Sequence, residues 1–119
     1  MKFAMLVNNN EAEFDDLTPE VSDARMKELY AWFEKWETAG KVIDGGAHLQ
    51  RTTTAKTVRP GADGGVTVTD GPYLELKEVV CGVVLLEADD IDDAVAVAST
   101  WPGMRGSASV EVRPLFEHS

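Results

Sequence analysis

Apolar and polar residues follow two different periods in the first third of the chain. The unbroken apolar run at residues 3–7 (FAMLV) predicts a buried strand, and the three asparagines at residues 8–10 predict a polar loop after it. From Thr18 onward apolar residues recur every three or four positions, which predicts an amphipathic helix. We expect Thr18 to be its N-cap, Pro19 its first residue and Gly40 its C-terminal stop. The chain therefore begins with a strand and a long helix.

The apolar stripe of this predicted helix is rich in aromatic side chains. It consists of Val21, the stem of Arg25, Leu29, Trp32, Phe33, Trp36 and Ala39. A stripe at helical spacing is more often packed against a sheet than used as a ligand surface, so packing is the favoured interpretation and ligand binding the alternative.

The middle of the chain predicts an irregular strand and a hairpin. Residues 41–50 (KVIDGGAHLQ) predict a strand that is loosened by its two glycines and that carries His48. Residues 52–59 and 66–69 alternate threonine with valine or basic residues, and a glycine-rich loop at residues 60–65 joins them. This pattern is typical of a β-hairpin.

The last third repeats the order of strand, helix and strand. Residues 79–86 (VVCGVVLL) give the strongest strand signal, Asp90 is the expected N-cap of a second helix, and residues 107–115 alternate as a final strand. Two β-α-β halves with an inserted hairpin predict an α+β protein whose subunit is a ferredoxin-like split β-α-β. A length of 119 residues fits one domain spanning residues 1–119.

Both faces of the central strands are apolar. In residues 79–86 one side carries Val79, Cys81, Val83 and Leu85, and the other carries Val80, Gly82, Val84 and Leu86. Two helices cover only one face of a four-stranded sheet, so the second face requires another cover. A second copy of the chain is the simplest cover, and we expect a homodimer with its sheets face to face.

Charge and composition exclude several function classes. Twenty-one acidic against eleven basic residues give a formal charge of −10, which disfavours binding to nucleic acid. No apolar run is long enough for a membrane helix and the N-terminus has no signal-peptide pattern, so a cytoplasmic protein without membrane association is expected. Cys81 is the sole cysteine, lies in an apolar run and is expected to be a core residue.

Several motifs resemble one family. These are MKFAMLV at the start, LTPE at the first helix, VTDGPYLELKE at residues 68–78, GV-x-L at residues 82–85, and SVEVRP at residues 109–114. In this order they resemble the YCII-related proteins of the DGPF type over nearly the whole chain, with Tyr73 where the name-giving motif has Phe. The resemblance implies a dimeric α+β barrel. It also implies sigma-factor association for some members and, for some in the wider group, enzymes that use a His-Asp pair on small, often aromatic, substrates.

His48 and Asp70 are the candidate catalytic residues. His48 follows two glycines that allow close approach of a ligand, and an imidazole can act as a general acid or base near neutral pH. Asp70 would orient the imidazole, as a triad carboxylate does. The structural alternatives are a hydrogen-bonded histidine at a strand end and an Asx-turn in which the Asp70 carboxylate accepts a hydrogen bond from the backbone two residues on.

The same DGPY corner supplies the candidate substrate-binding residues. These are Gly71, Pro72, Tyr73, Glu75 and Lys77, with Gly71 predicted in an unusual backbone conformation. Tyr73 would stack on a planar ligand, and Lys77 would attract a carboxylate or phenolate. The alternative is a turn whose charges are merely solvated.

Motifs for metals and cofactors are missing from the sequence. There is no nucleotide-binding glycine motif and no cluster with metal-ligand spacing, and the acidic run at residues 89–93 is placed where a helix start collects carboxylates. We expect neither a metal nor a cofactor. Two main hypotheses follow: a cofactor-free acid/base enzyme acting on a small molecule, and a non-catalytic ligand-sensing or regulatory dimer. A purely structural adaptor is the third.

Overall fold

A computed structural model describes residues 1–72 and 76–117. Within these ranges the elements are β1 (Lys2–Asn10), α1 (Pro19–Thr38), β2 (Val42–His48), β3 (Lys56–Pro60), β4 (Val66–Asp70), β5 (Glu78–Glu87), α2 (Ile91–Ala98) and β6 (Ser109–Pro114), with 3-10 turns at Glu11–Phe14 and Thr52–Thr54. The predicted α+β class and element order are confirmed.

The main sheet is antiparallel with the strand order β2-β5-β1-β6. When the inserted hairpin is set aside, this order is that of a ferredoxin-like split β-α-β subunit. The hairpin strands β3 and β4 form a separate two-stranded sheet between β2 and β5 in the chain.

The first strand is longer than its apolar run, and the predicted loop at residues 8–10 is wrong. These asparagines continue β1 and pair with residues 78–80 of β5. Asn9 is only 8% exposed, and its Nδ2 donates a hydrogen bond to the Sγ of Cys81 at 3.6 Å. Pairing with a long neighbouring strand and a side-chain partner outweigh the low strand propensity of asparagine.

Both helices begin where capping chemistry predicts. The Oγ1 of Thr18 accepts a hydrogen bond from the backbone N–H of Val21 at 3.3 Å, and Pro19 opens α1. The carboxylate of Asp90 accepts from the backbone N–H of Asp93 at 2.8 Å and caps α2. Both predicted N-caps are confirmed.

The core lies between the helices and one face of the sheet. Its buried residues are Phe3, Met5, Val7, Trp32, Val42, Val84, Leu86, Ala88, Ala94, Val97 and Ala98. Within α1 the buried residue is Trp32. The Nε1 groups of Trp32 and Trp36 both donate hydrogen bonds to the Oγ1 of Thr100, at 2.8 and 3.0 Å, which ties α1 to the segment after α2.

Within the described residues, no helix covers the other face of the sheet. Register places Ala4 opposite Leu85 and Leu6 opposite Val83, and opposite residues of antiparallel strands share a face. We call Ala4, Leu6, Val83, Leu85 and their neighbours the open face. Alternation alone predicts Val80 on the helix side. A bulge near Cys81 pairs Val80 with Asn8 instead, which places Val80 on the open face and leaves it exposed.

The molecule is flat and extended rather than spherical. Its radius of gyration is 16.6 Å and its principal extents are 50 × 47 × 19 Å, whereas a compact chain of this length has a radius of gyration of about 13.5 Å. A hairpin that stands apart from the main sheet gives this shape. Three valines on one face of the hairpin, Val58, Val66 and Val68, are 62%, 68% and 58% exposed. No described helix is long and apolar enough to cross a membrane.

Candidate functional site

A cavity of ≈ 710 Å³ lies between α1 and the helix-side face of the sheet. We call it the α1 cavity. Its walls come from one side of α1 (Ser22, Arg25, Met26, Leu29, Tyr30, Phe33), the end of β2 (Ala47, His48), the start of β5 (Val79, Cys81, Gly82), the turn after β1 (Glu11, Glu13, Phe14) and the loop after α2 (Trp101, Pro102, Gly103, Arg105), among others. This volume falls within the range of small-molecule sites.

The helix stripe contributes to both the core and the cavity wall. Trp32, Phe33 and Trp36 pack on the core, as the favoured interpretation predicts. Arg25, Leu29 and Phe33 line the cavity. Packing of the stripe is therefore confirmed for its aromatic residues, and ligand binding stays a prediction.

An aromatic cluster forms one wall. The rings of Trp32 and Trp101 meet edge to face with centroids 4.9 Å apart, and Phe33 stands edge to face to both, at 5.1 Å from Trp32 and 5.9 Å from Trp101. Such contacts hold rings in fixed orientations. Because Phe33 and Trp101 both line the cavity, that wall is rigid and apolar.

His48 reaches the cavity because β2 is irregular. The register of β2 against β5 shifts twice between Val42 and Ala47. Gly46 adopts φ +67°, and its N–H donates to the Oδ1 of Asp44 at 2.7 Å. After these shifts His48 lies opposite Gly82, which in turn lies opposite the buried Val7. His48 is therefore on the helix-covered side of the sheet, and the absence of a side chain at Gly82 leaves space beside it.

Cys81 belongs both to the core and to the cavity. Its side chain is half-buried and packs against the core, as predicted, but it also lines the α1 cavity. Its backbone carbonyl accepts a hydrogen bond from the N–H of Leu49 at 2.8 Å, which fastens the residue after His48 to β5.

Asp70 lies on the hairpin rather than in the cavity wall. Its carboxylate pairs with the Nζ of Lys56 across the strands and is 88% exposed. The predicted Asx-turn is wrong because the residue two positions on is Pro72, which has no N–H to donate. Gly71 has φ +92°, so its predicted backbone conformation is confirmed.

The other predicted site residues are distributed around the same corner. The N–H of Gly71 donates to the carbonyl of Ala55 at 2.7 Å and its carbonyl accepts from the Oγ1 of Thr57 at 2.8 Å, so the corner is tied to the hairpin. Pro72 is half-buried and Lys77 is exposed. Tyr73 and Glu75 lie outside the described residues. Of the described candidates, the cavity wall includes His48, and its pairing with Asp70 stays a prediction.

Comparison with known proteins identifies the family of the chain. The profile of the YCII-related domain matches residues 1–118. The chain belongs to the YCII-related domain family. This YCII-related protein is also similar to an uncharacterized protein of Rhizobium meliloti (strain 1021), with 35% identity over 116 residues that cover 97% of this chain and 92% of the relative.

Sequence reasoning missed the charged residues that line the cavity of this YCII-related protein. The sequence pattern predicts only a packing role for the stem of Arg25 and no role for Arg51 or Arg105, yet all three line the α1 cavity. Ser22 and Arg25 are polar residues on the side of α1 that is otherwise apolar. Polar residues at such positions are the sequence signal that indicates a cavity wall. In the part of the chain that the structure describes, no cluster of three or more His, Cys, Asp or Glu residues is placed to hold a metal ion.

Proposed function

We propose that this YCII-related protein is a cofactor-free enzyme that transfers a proton to or from a small molecule bound in the α1 cavity. The observation that carries the proposal is the position of His48, an imidazole in the wall of a cavity that is otherwise lined largely by apolar and aromatic side chains. An imidazole can accept a proton and return it near neutral pH, which suits isomerisation or elimination without a cofactor.

Asp70 is a separable part of this proposal. It would orient His48 only if its carboxylate exchanged Lys56 for the imidazole, since Lys56 is its partner within the described residues. An ion pair this exposed has a small stabilising effect, so its loss costs little. His48 is therefore the residue on which the chemistry depends, and Asp70 is a positioning residue.

Proton exchange tests the catalytic proposal directly. Small ring acids and phenols with acidic C–H groups are incubated with the protein in D₂O, and deuterium incorporation at carbon is followed by NMR. We expect incorporation that disappears with His48→Gln and that Asp70→Asn slows without abolishing. Equal incorporation by the parent protein and His48→Gln would overturn the assignment of His48 as the base.

A ligand-sensing protein without catalysis is the second candidate. It is favoured by the absence, within residues 1–72 and 76–117, of any hydrogen bond that orients the His48 ring. In this case ring compounds bind in the cavity with no deuterium incorporation, and His48→Gln changes affinity alone.

We also propose that two copies associate through the open face. Leu6, Val83 and Leu85 are apolar and not fully buried, and Ile43 and Val80 beside them are exposed. Burial of apolar surface contributes about 25 cal/mol per Å², so a second copy of the same face is a stabilising cover. The three exposed valines of the hairpin offer further apolar surface to a second copy.

A further inference from the structure

The wall of the α1 cavity contains more basic than acidic residues, although the protein as a whole is strongly acidic. The whole chain has a formal charge of −10, yet three arginines and two glutamates line the cavity. Both glutamates are already bound to backbone N–H groups. Glu11 accepts from Thr52 at 3.1 and 3.2 Å, and Glu13 accepts from Ser107 at 3.2 Å. Each of these carboxylates therefore already accepts a hydrogen bond from the backbone.

The three arginines differ in whether they have an acidic partner. Arg51 pairs with Asp15, and Arg105 pairs with Glu28 at 2.8 Å. The guanidinium of Arg25 makes no hydrogen bond or ion pair with any residue in the described ranges, although Arg25 is half-buried in the cavity wall. A guanidinium offers five N–H donors in a planar fork, and a carboxylate accepts two of them in parallel.

Near this guanidinium the cavity wall carries apolar and aromatic side chains. Leu29 and Phe33 follow Arg25 at four-residue steps on α1, so they lie on the same side of the helix. Trp101, in the loop after α2, contacts the ring of Phe33 edge to face. A ligand that binds both the guanidinium and the apolar wall has an anionic group at one end and a flat apolar body at the other.

We infer that the α1 cavity binds a small monocarboxylate with a ring-sized apolar body, and that Arg25 binds its carboxylate. The inference rests on the proposed function, because it names the class of ligand that the same cavity takes. One guanidinium without a partner matches one negative charge, which favours a monoanion over a nucleotide or a polyphosphate.

Benzoate and benzyl alcohol form a matched pair of probes that differ in charge. Each is titrated into ¹⁵N-labelled protein, and the amide shifts of Cys81 and Gly82 report binding in the cavity. We expect benzoate to bind roughly tenfold or more tightly than benzyl alcohol, as a hydrogen-bonded charge pair predicts. Raising the NaCl concentration should weaken benzoate and leave benzyl alcohol unchanged.

Three variants separate the local effect of Arg25 from the effect of net charge. Arg25→Gln should bring benzoate down to the affinity of benzyl alcohol, and Arg25→Lys should restore part of the difference. Lys27→Gln makes the same change in net charge at an exposed position of α1 outside the cavity wall, and it should alter benzoate affinity by less than about twofold.

The outcomes distinguish the inference from the function on which it rests. Equal cavity binding of benzoate and benzyl alcohol, or an equal loss in Arg25→Gln and Lys27→Gln, overturns the role of Arg25 and leaves a small-molecule cavity in place. No shift at Cys81 or Gly82 with either probe overturns both. If Arg25→Gln does not fold, the comparison of Arg25→Lys with Lys27→Gln in the same titrations decides the question, because salt dependence reports all nearby charges and not Arg25 alone.

Discussion

Gly46 lies directly against the backbone carbonyl of Val83. A Cβ atom placed on Gly46 would lie 1.6 Å from that oxygen, and Gly46 also has φ +67°. Both the close approach and the left-handed backbone are available only to glycine. This contact is what allows β2 to shift register and place His48 at the cavity.

Gly46→Ala should therefore destabilise the protein and displace β2. We expect a loss of about 2 kcal/mol or more in the free energy of unfolding, because the left-handed conformation alone costs about 1–2 kcal/mol for an alanine. Urea denaturation followed by circular dichroism measures it.

The adjacent glycine provides the control. A Cβ on Gly45 would meet Phe33 and Glu37 at 3.7 Å, an ordinary contact. Gly45→Ala should be nearly neutral, and an equal loss in both variants would contradict the role assigned to Gly46.

Thr100 joins the two helices through a single hydroxyl. It accepts from both indole N–H groups and donates to the carbonyl of Val97 at 2.6 Å. Thr100→Val keeps the shape and leaves the indole of buried Trp32 without an acceptor, which should cost about 1–3 kcal/mol of unfolding free energy. Thr100→Ser retains the hydroxyl and should lose much less in the same denaturation experiment. Equal losses would show that packing, and not the hydrogen bonds, makes the contribution.

Local chemistry explains which elements could be predicted from sequence. The caps at Thr18 and Asp90 depend on residues three positions away, so they are visible in the sequence. The continuation of β1 through Asn9 depends on Cys81, seventy-two residues away, and the Asp70–Lys56 pair depends on the register of the hairpin. Neither is encoded by local periodicity.

The cavity could be predicted only in part for the same reason. The position of His48 after two glycines marked a candidate, but its neighbours are set by the bulges of β2 and β5. Arg25 lies on an apolar stripe that could have packed fully on the sheet. Which side chains of α1 pack on the core and which line the cavity depends on tertiary contacts such as those of Thr100.

The pair formed by Lys41 and Asp93 predicts an acid-dependent loss of stability. The hydrogen bond from Lys41 at 2.6 Å, followed by that from the backbone of Asp89, lowers the pKa of the Asp93 carboxyl. A carboxyl whose pKa is lowered by folding stabilises the protein above its unfolded value near 3.9, and this contribution disappears as pH falls through the folded value. Asp93→Asn should therefore flatten the decline of unfolding free energy below about pH 4.

The neighbouring helix position serves as the reference for this titration. Asp92 is exposed in the first turn of α2, and its carboxylate accepts no hydrogen bond within the described ranges. Asp92→Asn should leave the decline of unfolding free energy at acid pH close to that of the parent protein. If the unfolding free energy of the parent protein and of Asp93→Asn declines identically at acid pH, the contribution assigned to the Lys41–Asp93 pair is contradicted.

A charge on the open face should dissociate the proposed dimer. Val83→Glu places a carboxylate in the centre of the face, where association would bury it without a partner. Sedimentation velocity should show a dimer for the parent protein and a monomer for this variant. Val95→Glu, on an exposed position of α2, should stay dimeric. A parent protein that sediments as a monomer at all concentrations would contradict the proposed association.

The position of a bound ligand relative to His48 tests the central claim most directly. A crystal structure of the protein with benzoate is predicted to show the ring in the α1 cavity within van der Waals reach of His48 and Phe33, about 4 Å, with its carboxylate on Arg25. Benzoate bound elsewhere on the protein while the α1 cavity stays empty would contradict it.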